Sequence, residues 1–322
     1  MPTMTTLYEP IAADMEKVCR IFDDELFSDL PVVNDLCAHV ATYRGKMLRP
    51  ALLLLSGRAC GGLTEEHLTL AAVVEMVHMA TLVHDDVLDD ADIRRRQRTV
   101  NRLEGNEAAI LLGDYLISHA FHLCSSLDSQ FASRTIGATT NTVCEGELQQ
   151  IHHRGDEGLT IDQYLAIITG KTAALTGTCC LLGAHYAGAD SDTVAASERY
   201  GLDVGIAFQI TDDVLDIVGS EQHMGKTLGR DLDKHKLTLP VIHALAHSDA
   251  PARRELGKVL KNGVFDRDKV RRLLEPTDSV NYTLQIAGEY IASATASLSS
   301  LPPTDARDTL IRMALMIIDR DK

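Results

Sequence analysis

The stretch that decides the fold is LAAVVEMVHMATLVHDDVLD, residues 70–89, an apolar run that ends in acid. Its apolar residues, among them Leu70, Val73 and Val77, recur every three or four positions, which is helix spacing and not the alternation of a strand. No proline occurs in residues 51–239, so nothing in that region forces a helix to break. The sequence therefore predicts an all-α protein in which strands are nearly absent.

Glycine-containing turns divide the proline-free region into helices of roughly 20 to 30 residues, longer than the usual helix of a globular protein. They lie at residues 61–62, 105–106, 155–158 and 188–190. Long helices in succession favour a packed bundle or barrel. Because no Pro/Ser-rich linker or shift in composition divides the chain, we expect one domain over residues 1–322.

The composition excludes several kinds of partner and compartment. With 46 acidic against 31 basic residues and a formal net charge of −15, the chain would repel nucleic acid and anionic lipid. The seven cysteines show no CxxC spacing, so we expect neither a disulfide framework nor a zinc site, and a reducing compartment fits best. The amino terminus lacks the pattern of a secretory signal or a transit peptide, which predicts a cytoplasmic protein.

The sequence also predicts that no segment crosses a membrane. A membrane span needs roughly 18 or more nearly uninterrupted apolar residues. The most apolar region, residues 70–83, is already interrupted by Glu75 and His78. We therefore expect no transmembrane segment.

An acidic five-residue motif, the pentad Asp-Asp-Val-Leu-Asp, occurs at residues 85–89 and again at residues 212–216. On a helix its three carboxylates point to one side and repel each other. Each pentad ends an apolar stretch, where desolvation disfavours unpaired carboxylates unless cations bridge them. Such oxygen ligands suit Mg²⁺. A solvated acidic face is an equal alternative for one pentad, but the repetition favours metal binding by Asp85, Asp86, Asp89, Asp212, Asp213 and Asp216.

Basic residues in this acidic chain supply the other half of a phosphate site. Any one of them alone reads as an ordinary surface cation. Together with the two pentads they predict a pocket for two multiply charged anions, one bound through metal and one through Arg and Lys directly. The residues concerned are Lys46, Arg49, Arg94, Arg95, Arg96, Lys171, Lys226 and Lys236.

From about residue 40 to the end of the chain, the ordered motifs resemble those of trans-polyprenyl diphosphate synthases. These motifs are Gly45-Lys46-x-x-Arg49-Pro50, Glu75-x-x-His78-x-x-Thr81-Leu82-x-His84-Asp85-Asp86-x-x-Asp89 with Arg94-Arg95, Gly113-Asp114, Glu145-Gly146-Glu147-x-x-Gln150, Gly170-Lys171-Thr172, Phe208-Gln209-x-x-Asp212-Asp213-x-x-Asp216, and Gly225-Lys226 with Lys236-x-Thr238-Leu239-Pro240. The chain departs from the family at two loop positions. Arg96 and His235 stand where the family commonly has glycine, which bears on loop conformation.

The resemblance implies an isoprenoid synthase fold, a bundle of long helices around a central cavity with the pentads facing each other across it, in a homodimer. It implies that the six aspartates hold Mg²⁺ ions, commonly three, on an allylic diphosphate. It further implies two sets of substrate-binding residues. Those for the allylic diphosphate are Arg94, Lys171, Thr172, Gln209 and Lys226, and those for isopentenyl diphosphate are Lys46, Arg49, His78 and Arg95, with Lys236 nearby.

The chemistry expected of such a site is electrostatic. Cations stabilise the departing pyrophosphate, so that the allylic carbon ionises in a site closed to water. The double bond of isopentenyl diphosphate then attacks that carbon and a proton leaves. No side chain is an obvious base, so the released pyrophosphate is the expected acceptor.

Product length is predicted from the helix that precedes the first pentad. Thr81 and Ala80 lie four and five residues before Asp85, with Val77 below them, and all three are small or modest in size. In the resembled family an aromatic residue there closes a tunnel, so small residues predict a long product near C40 from a geranyl or farnesyl primer. The alternative is that these residues only pack against a neighbouring helix and bulk near Phe121 closes the cavity.

Other functions fit the residues less well. A terpene cyclase would not need Lys46, Arg49 and His78, and a metal-dependent phosphohydrolase generally needs further histidine ligands. A short-chain (C15 to C20) synthase remains an alternative. So does a non-catalytic subunit of a heteromeric synthase, although such subunits typically lose acids or basic residues that this chain keeps.

Overall fold

The structure, a computed structural model, describes residues 7–219, 229–261 and 266–319, and these are mostly helical. The helices are α1 Ala12–Glu25, α2 Pro31–Ala41, α3 Leu48–Cys60, α4 Glu65–Leu88, α5 Val100–Ser125, α6 Phe131–His152, α7 Ile161–Ile168, α8 Ala174–Tyr186, α9 Ser191–Val218, α10 Arg230–Asp233, α11 Leu239–His247, α12 Ala250–Lys261, α13 Arg267–Leu274, α14 Ser279–Ser297 and α15 Asp305–Ile318. The prediction of an all-α protein is confirmed.

The chain divides into two compact units. The first consists of Met1–Thr140, Thr178–Glu198 and Leu298–Leu310, and the second of Asn141–Gly177, Arg199–Ser297 and Ile311–Lys322. The expectation of one domain over the whole chain stays a prediction.

Helix α4 is the centre of the first unit, where it packs against α1, α3 and α5. It starts at a capping box in which the Thr64 amide donates to Nδ1 of His67 at 2.9 Å. Its apolar side chains from Leu68 to Val83 are buried except that of Leu82, and this run includes the helical-spacing positions Leu70, Val73 and Val77. The first pentad therefore lies at the end of a helix fixed by core packing.

The second unit has its own hydrophobic core. Helix α11 packs against α7, α12, α13 and α14. The cluster includes Ile167, Ile210, Leu239 and Leu256, all of them buried. Since Ile210 belongs to α9, this core fixes the helix that carries the second pentad.

A short hairpin joins α4 to α5 in the first unit. Its strands are β1 Ile93–Arg94 and β2 Gln97–Arg98, paired in antiparallel register. The two turn residues, Arg95 and Arg96, have φ of 49° and 68°. Two-residue hairpin turns with positive φ at both positions favour Asn or Gly, so Arg95 and Arg96 adopt a backbone conformation that their side chains disfavour.

The second loop position singled out in the sequence, His235, has a similar backbone conformation. His235 has a φ of 56°. This residue is held in place by its neighbours: its carbonyl accepts from the Gly155 amide at 2.8 Å, and its Nδ1 lies 3.1 Å from the Leu260 carbonyl oxygen. Both positions thus require a backbone conformation that a side chain disfavours.

Residues 161–186 form a continuous helical run that contains one π-helical turn, Thr169–Ala173, between α7 and α8. Single π turns inside α-helices occur frequently at functional sites. This turn carries Gly170, Lys171 and Thr172, one of the motifs singled out in the sequence.

By length and composition, three helical segments of the described residues could cross a bilayer. They are Glu65–Leu88, Val100–Ser125 and Ile161–Tyr186, whose most apolar windows are 72%, 33% and 61% buried within the protein. Protein packing therefore accounts for the apolar character of the first and third segments. Helix α5 instead exposes Leu103, Ile110 and Leu111. The absence of a transmembrane segment stays a prediction.

Candidate active site

The first pentad lies at the C-terminal end of α4. The amide of Asp89, the residue that follows the helix, donates to the Asp85 carbonyl at 2.8 Å, so these two residues are one helical turn apart. Asp85 and Asp89 are partly exposed, whereas Asp86 is 2% exposed. The three acids predicted to act together thus differ in their access to solvent.

Asp86 is held by Arg94 of the hairpin. Nε of Arg94 donates to both carboxylate oxygens, at 2.9 and 3.0 Å, and Nη2 lies 2.7 Å from Oδ1. Burial lowers the pKa of Arg94, but the hydrogen bond and charge of Asp86, together with the charges of Asp85 and Tyr43, raise it overall. The guanidinium is therefore a fixed positive charge beside the first pentad.

The second pentad lies near the end of α9 in the second unit. Asp213 is 4% exposed and accepts two hydrogen bonds, from the Tyr164 hydroxyl at 2.7 Å and from Nε2 of Gln209 at 2.7 Å. Oε1 of Gln209 in turn accepts from the Thr172 hydroxyl at 3.1 Å. A chain of hydrogen bonds thus joins two predicted diphosphate-binding residues to an aspartate of the pentad.

The remaining acids of the second pentad have different surroundings. Asp212 is partly exposed. Asp216 is buried, and its Oδ1 accepts from the Gly229 amide at 3.1 Å.

Lys171 is positioned by helix α6. Its Nζ donates to Oε1 of Gln150 at 2.9 Å and forms an ion pair with Glu147. The π turn can approach α6 this closely because Gly146 has no side chain, since a Cβ there would lie 2.4 Å from the Lys171 amide nitrogen. The two motifs that carry Gly146 and Lys171 are therefore parts of one contact.

The residues predicted to bind isopentenyl diphosphate lie in the first unit, where the charges of Arg49 and Arg95 act on the buried Glu75. Lys46 is exposed, Arg49 is in the first turn of α3, and Arg95 lies so close to Gly45 that a Cβ there would overlap its guanidinium. Among the described residues, Oε2 of Glu75 and Nε of Arg49 have no hydrogen-bond partner. These polar atoms are available to a ligand or to a rearrangement of the site.

The electrostatics of this group set the protonation of His78. Burial, followed by the charges of Arg49, Arg95 and Arg94, lowers the pKa of His78 well below its usual value. Burial raises the pKa of Glu75, and the charges of Arg49, Arg95 and Arg44 oppose that rise. The imidazole of His78 is therefore neutral at neutral pH and can take part in a hydrogen bond without adding charge.

The predicted length-determining residues are packed closely in α4. Ala80 and Val77 are 0% and 1% exposed, so neither borders open space in this structure. Thr81 is partly exposed and donates its hydroxyl to the His78 carbonyl at 2.7 Å. A role for these residues in product length stays a prediction.

Two of the predicted substrate-binding residues follow α9 in the sequence. Lys236 is buried in the segment between α10 and α11, and Lys226 falls outside the described residues. Tyr164 was not predicted as a site residue, because the sequence pattern of a single Tyr in an apolar helix predicts only a core position. Glu75, Glu147 and Gln150 stand within the motifs, but the sequence alone predicts no role for them.

The acids suit a metal bound together with a phosphate and not a closed protein site. Within the described ranges, no three His, Cys, Asp or Glu side chains form a cluster that could hold a metal ion. Mg²⁺ generally keeps several waters and is bound by one or two carboxylates with substrate phosphates. Partly exposed carboxylates one turn apart, as at Asp85 and Asp89, fit that description.

Comparison with known proteins gives a consistent result. A family model described as polyprenyl synthetase matches residues 30–276. The chain is 34% identical to octaprenyl diphosphate synthase of Escherichia coli (strain K12), over 98% of both chains. It superposes on a decaprenyl diphosphate synthase from Rhodobacter capsulatus with a TM-score of 0.94 and 33% identity, over 99% of this chain and 100% of the other. A polyprenyl synthase from Caulobacter crescentus CB15, complexed with calcium and isoprenyl diphosphate, gives a TM-score of 0.93 and 32% identity, over 99% and 98%.

Proposed function

Because the chain belongs to the polyprenyl synthetase family, we propose that it is a prenyltransferase that condenses isopentenyl diphosphate with an allylic diphosphate into a long-chain trans-polyprenyl diphosphate. The proposed allylic primer is geranyl or farnesyl diphosphate and the proposed product is near C40. Full-length similarity to synthases named for octaprenyl and decaprenyl products supports this length.

The observation that carries the proposal is that each acid pentad contacts a side chain suited to binding a diphosphate. In the first unit Arg94 is fixed on Asp86, and in the second unit Gln209 links Asp213 to Thr172. Guanidinium, amide and hydroxyl donors are the groups that bind phosphate oxygens. A solvated acidic helix face would not need this arrangement.

The protein's own groups have distinct tasks in the proposed reaction. Arg94 and Lys171 supply fixed positive charge where negative charge develops on the leaving diphosphate. Arg49, Arg95, Lys46 and the neutral His78 bind the second diphosphate. Apolar packing around Ala80 and Val77 keeps water from the helix below the first pentad.

We propose that the aspartates of the pentads bind Mg²⁺. In line with their partial exposure, Asp85, Asp89 and Asp212 offer oxygens to a hydrated ion. When bound, Mg²⁺ neutralises charge on the diphosphate and so makes it a better leaving group.

The direct test is incubation of the purified protein alone with MgCl₂, farnesyl diphosphate and labelled isopentenyl diphosphate, followed by chromatography of the products. We expect polyprenyl diphosphates near C40, and we expect Asp85→Ala or Asp212→Ala to lower turnover by orders of magnitude, roughly a thousandfold or more. Products that stop at C15 to C20 would favour a short-chain synthase. Product only on addition of a second protein would indicate a subunit of a heteromeric enzyme.

We further infer a homodimer in the cytoplasm. The exposed apolar residues of α5, Leu103, Ile110 and Leu111, support self-association. All seven cysteines are free thiols, which fits a reducing compartment.

A further inference from the structure

The hairpin between α4 and α5 carries one arginine for each of the two proposed diphosphate sites. Arg94 in β1 binds Asp86 of the first pentad, and Arg95 in the turn packs on Gly45. Residues 95–98 are exposed, so water competes for the backbone groups of the turn and of β2. The positions of both arginines therefore depend on the contacts that hold the base of the hairpin.

Tyr43 lies at this base, in the segment between α2 and α3. Its side chain is 0% exposed. The hydroxyl accepts a hydrogen bond from the Val100 amide at 3.1 Å and donates one to the Arg98 carbonyl oxygen at 3.3 Å. One buried group thus joins the last residue of β2 to the first residue of α5.

His39 of α2 contacts the same carbonyl. Its Nε2 lies 2.7 Å from the Arg98 carbonyl oxygen, and because a carbonyl only accepts, this nitrogen carries the hydrogen. The ring of His39 meets that of Tyr43 edge to face, with centroids 5.5 Å apart. The Arg98 carbonyl therefore accepts from two side chains that both come from outside the hairpin.

The register of the hairpin relates this carbonyl to the arginines. Ile93, the neighbour of Arg94 in β1, pairs with Arg98. A shift of the Arg98 carbonyl would therefore move the residue next to Arg94. At the turn, Arg95 fills the space above Gly45, which follows the tyrosine by two residues. The segment 43–45 thus contacts the hairpin at its base and at its turn.

The Tyr43 hydroxyl keeps its proton at neutral pH. Burial and then the charge of Asp86 raise its pKa to about 12, while the hydrogen bond from the Val100 amide and the charge of Arg94 act in the opposite direction. The hydroxyl therefore stays a donor to the Arg98 carbonyl under the conditions of the reaction.

We propose that Tyr43 is a positioning residue for both diphosphate sites, because its hydroxyl fixes the hairpin that carries Arg94 and Arg95, and that His39 supports it at the same carbonyl. Neither side chain has to touch a substrate in this role. A tyrosine that served only the core would need its ring but not its hydroxyl. The assignment rests on the proposed function, since it concerns the substrates of that reaction.

Tyr43→Phe is the direct test, because it removes the hydroxyl and keeps the ring. We expect the KM for the allylic diphosphate and the KM for isopentenyl diphosphate each to rise about threefold to tenfold, since both arginines lose a fixed position. A merely structural loss would reduce the active fraction, and so would lower the apparent kcat with both KM values unchanged. That result in the folded variant would overturn the inference.

Tyr186→Phe is the matched control in the same unit. The Tyr186 ring meets that of His67 edge to face, with centroids 6.3 Å apart. His67 lies in the first turn of α4, about 27 Å along the helix from Asp85 at 1.5 Å per residue. We expect both KM values of this control to stay within about twofold of the wild type. Equal effects of Tyr43→Phe and Tyr186→Phe would contradict the role of Tyr43.

Backbone hydrogen exchange, measured by mass spectrometry, reports on the hairpin without turnover. In a peptide that covers residues 92–101, we expect exchange to be about tenfold faster in Tyr43→Phe than in the wild type, because the base of the hairpin opens more often. Equal exchange in the two proteins would show that the hydroxyl does not hold the hairpin, and would overturn the inference.

A milder variant keeps the test available if Tyr43→Phe fails to fold. His39→Ala changes a partly exposed helical residue and removes one donor to the Arg98 carbonyl. We expect both KM values to rise about twofold to threefold, and unchanged values would overturn the inference.

Failure of the proposed function can be told apart from failure of this assignment. Wild-type protein that binds inorganic pyrophosphate with MgCl₂ in calorimetry but forms no product would contradict only the proposed function. The affinity for pyrophosphate would then replace KM in the comparison of Tyr43→Phe with Tyr186→Phe. Wild-type protein that does not bind pyrophosphate would overturn both.

Discussion

Because of His78, we expect the free energy of unfolding to depend on pH. An unfolded chain binds a proton on this imidazole near pH 6.5, whereas burial and three arginines keep it neutral in the folded state. Below that pH the unfolded state therefore binds more protons than the folded state. The free energy of unfolding is highest above that pH and decreases as the pH falls toward the lowered pKa of His78 in the folded state. We expect His78→Gln to lose less free energy of unfolding than the wild type between pH 7 and pH 5 in urea titrations. Equal pH slopes would contradict this.

Arg96 occupies a backbone conformation that disfavours a side chain. At a φ of 68°, glycine avoids roughly 1 kcal/mol or more of strain but loses more entropy on folding. We expect Arg96→Gly to raise the free energy of unfolding by about 0.5 kcal/mol. The matched change Arg98→Gly, on an exposed strand residue of the same hairpin, should lower it. A loss of stability in Arg96→Gly would show that the Arg96 side chain makes a compensating contact.

Sequence reasoning found the acids but not their individual roles. Helix geometry predicts that the three carboxylates of a pentad share one side, and this depends only on local spacing. That Asp213 accepts from Tyr164, 49 residues away, depends on tertiary packing. Likewise, the contact of Arg94 with Asp86 depends on the hairpin turn, whose positive φ values at Arg95 and Arg96 run against residue preference.

At the scale of elements, the contact between α6 and the π turn depends on one missing side chain. In Gly146→Ala the new Cβ would lie 2.4 Å from the Lys171 amide nitrogen, a backbone atom that cannot move alone. We expect kcat/KM for the allylic diphosphate to fall about tenfold or more as Lys171 shifts from Glu147 and Gln150. Gly137→Ala on the same helix is the control, since its Cβ would meet Phe121 at an ordinary 3.7 Å. Similar kinetics for the two variants would contradict the tight approach.

Helix α4 offers a test of product length at its partly exposed position. Thr81→Phe adds bulk one turn before the first pentad, and we expect shorter products by chromatography. Thr81→Ser, which keeps the hydroxyl bonded to the His78 carbonyl, should leave the length distribution unchanged. Ala80→Phe is expected to shorten the product too, but at a fully buried position it also costs stability, about 1 to 3 kcal/mol. Unaltered products from Thr81→Phe would support the packing alternative for these residues.

The helices themselves follow closely from the sequence. Four of the helical segments, Glu65–Leu88, Val100–Ser125, Phe131–His152 and Ser191–Val218, have 24, 26, 22 and 28 residues, within the expected range. Three of the glycine-containing turns fall between helices, and Gly105 breaks α5 from within, with a φ of 89°. The π turn was not predicted, because an apolar helical pattern continues through it.

At the scale of the molecule, the helical class was predictable because it depends on a repeating apolar spacing, and the family was predictable because its ordered motifs are present in the sequence. The arrangement of exposed apolar residues was not, because periodicity does not distinguish an apolar face that is buried in the chain from one that stays exposed at its surface. Helix α5 illustrates this, since Leu111 is 68% exposed.

We expect the wild type to have twice the chain mass of 35.1 kDa in light scattering without detergent, and Leu111→Glu to shift it toward the single-chain mass. The charge would be buried without a partner in a dimer interface. Leu315→Glu, at another exposed leucine, is the control. A monomeric wild type, or one that needs detergent, would contradict the dimer.

The π turn at Thr169–Ala173 has an evolutionary consequence. Because it holds one residue more than an α turn, loss of a single codon there would let the run close as regular helix while α7 and α8 keep their registers. The core would be preserved, yet Lys171 and Thr172 would lose their directions. A single deletion of this kind would therefore produce a homologue that folds but is inactive.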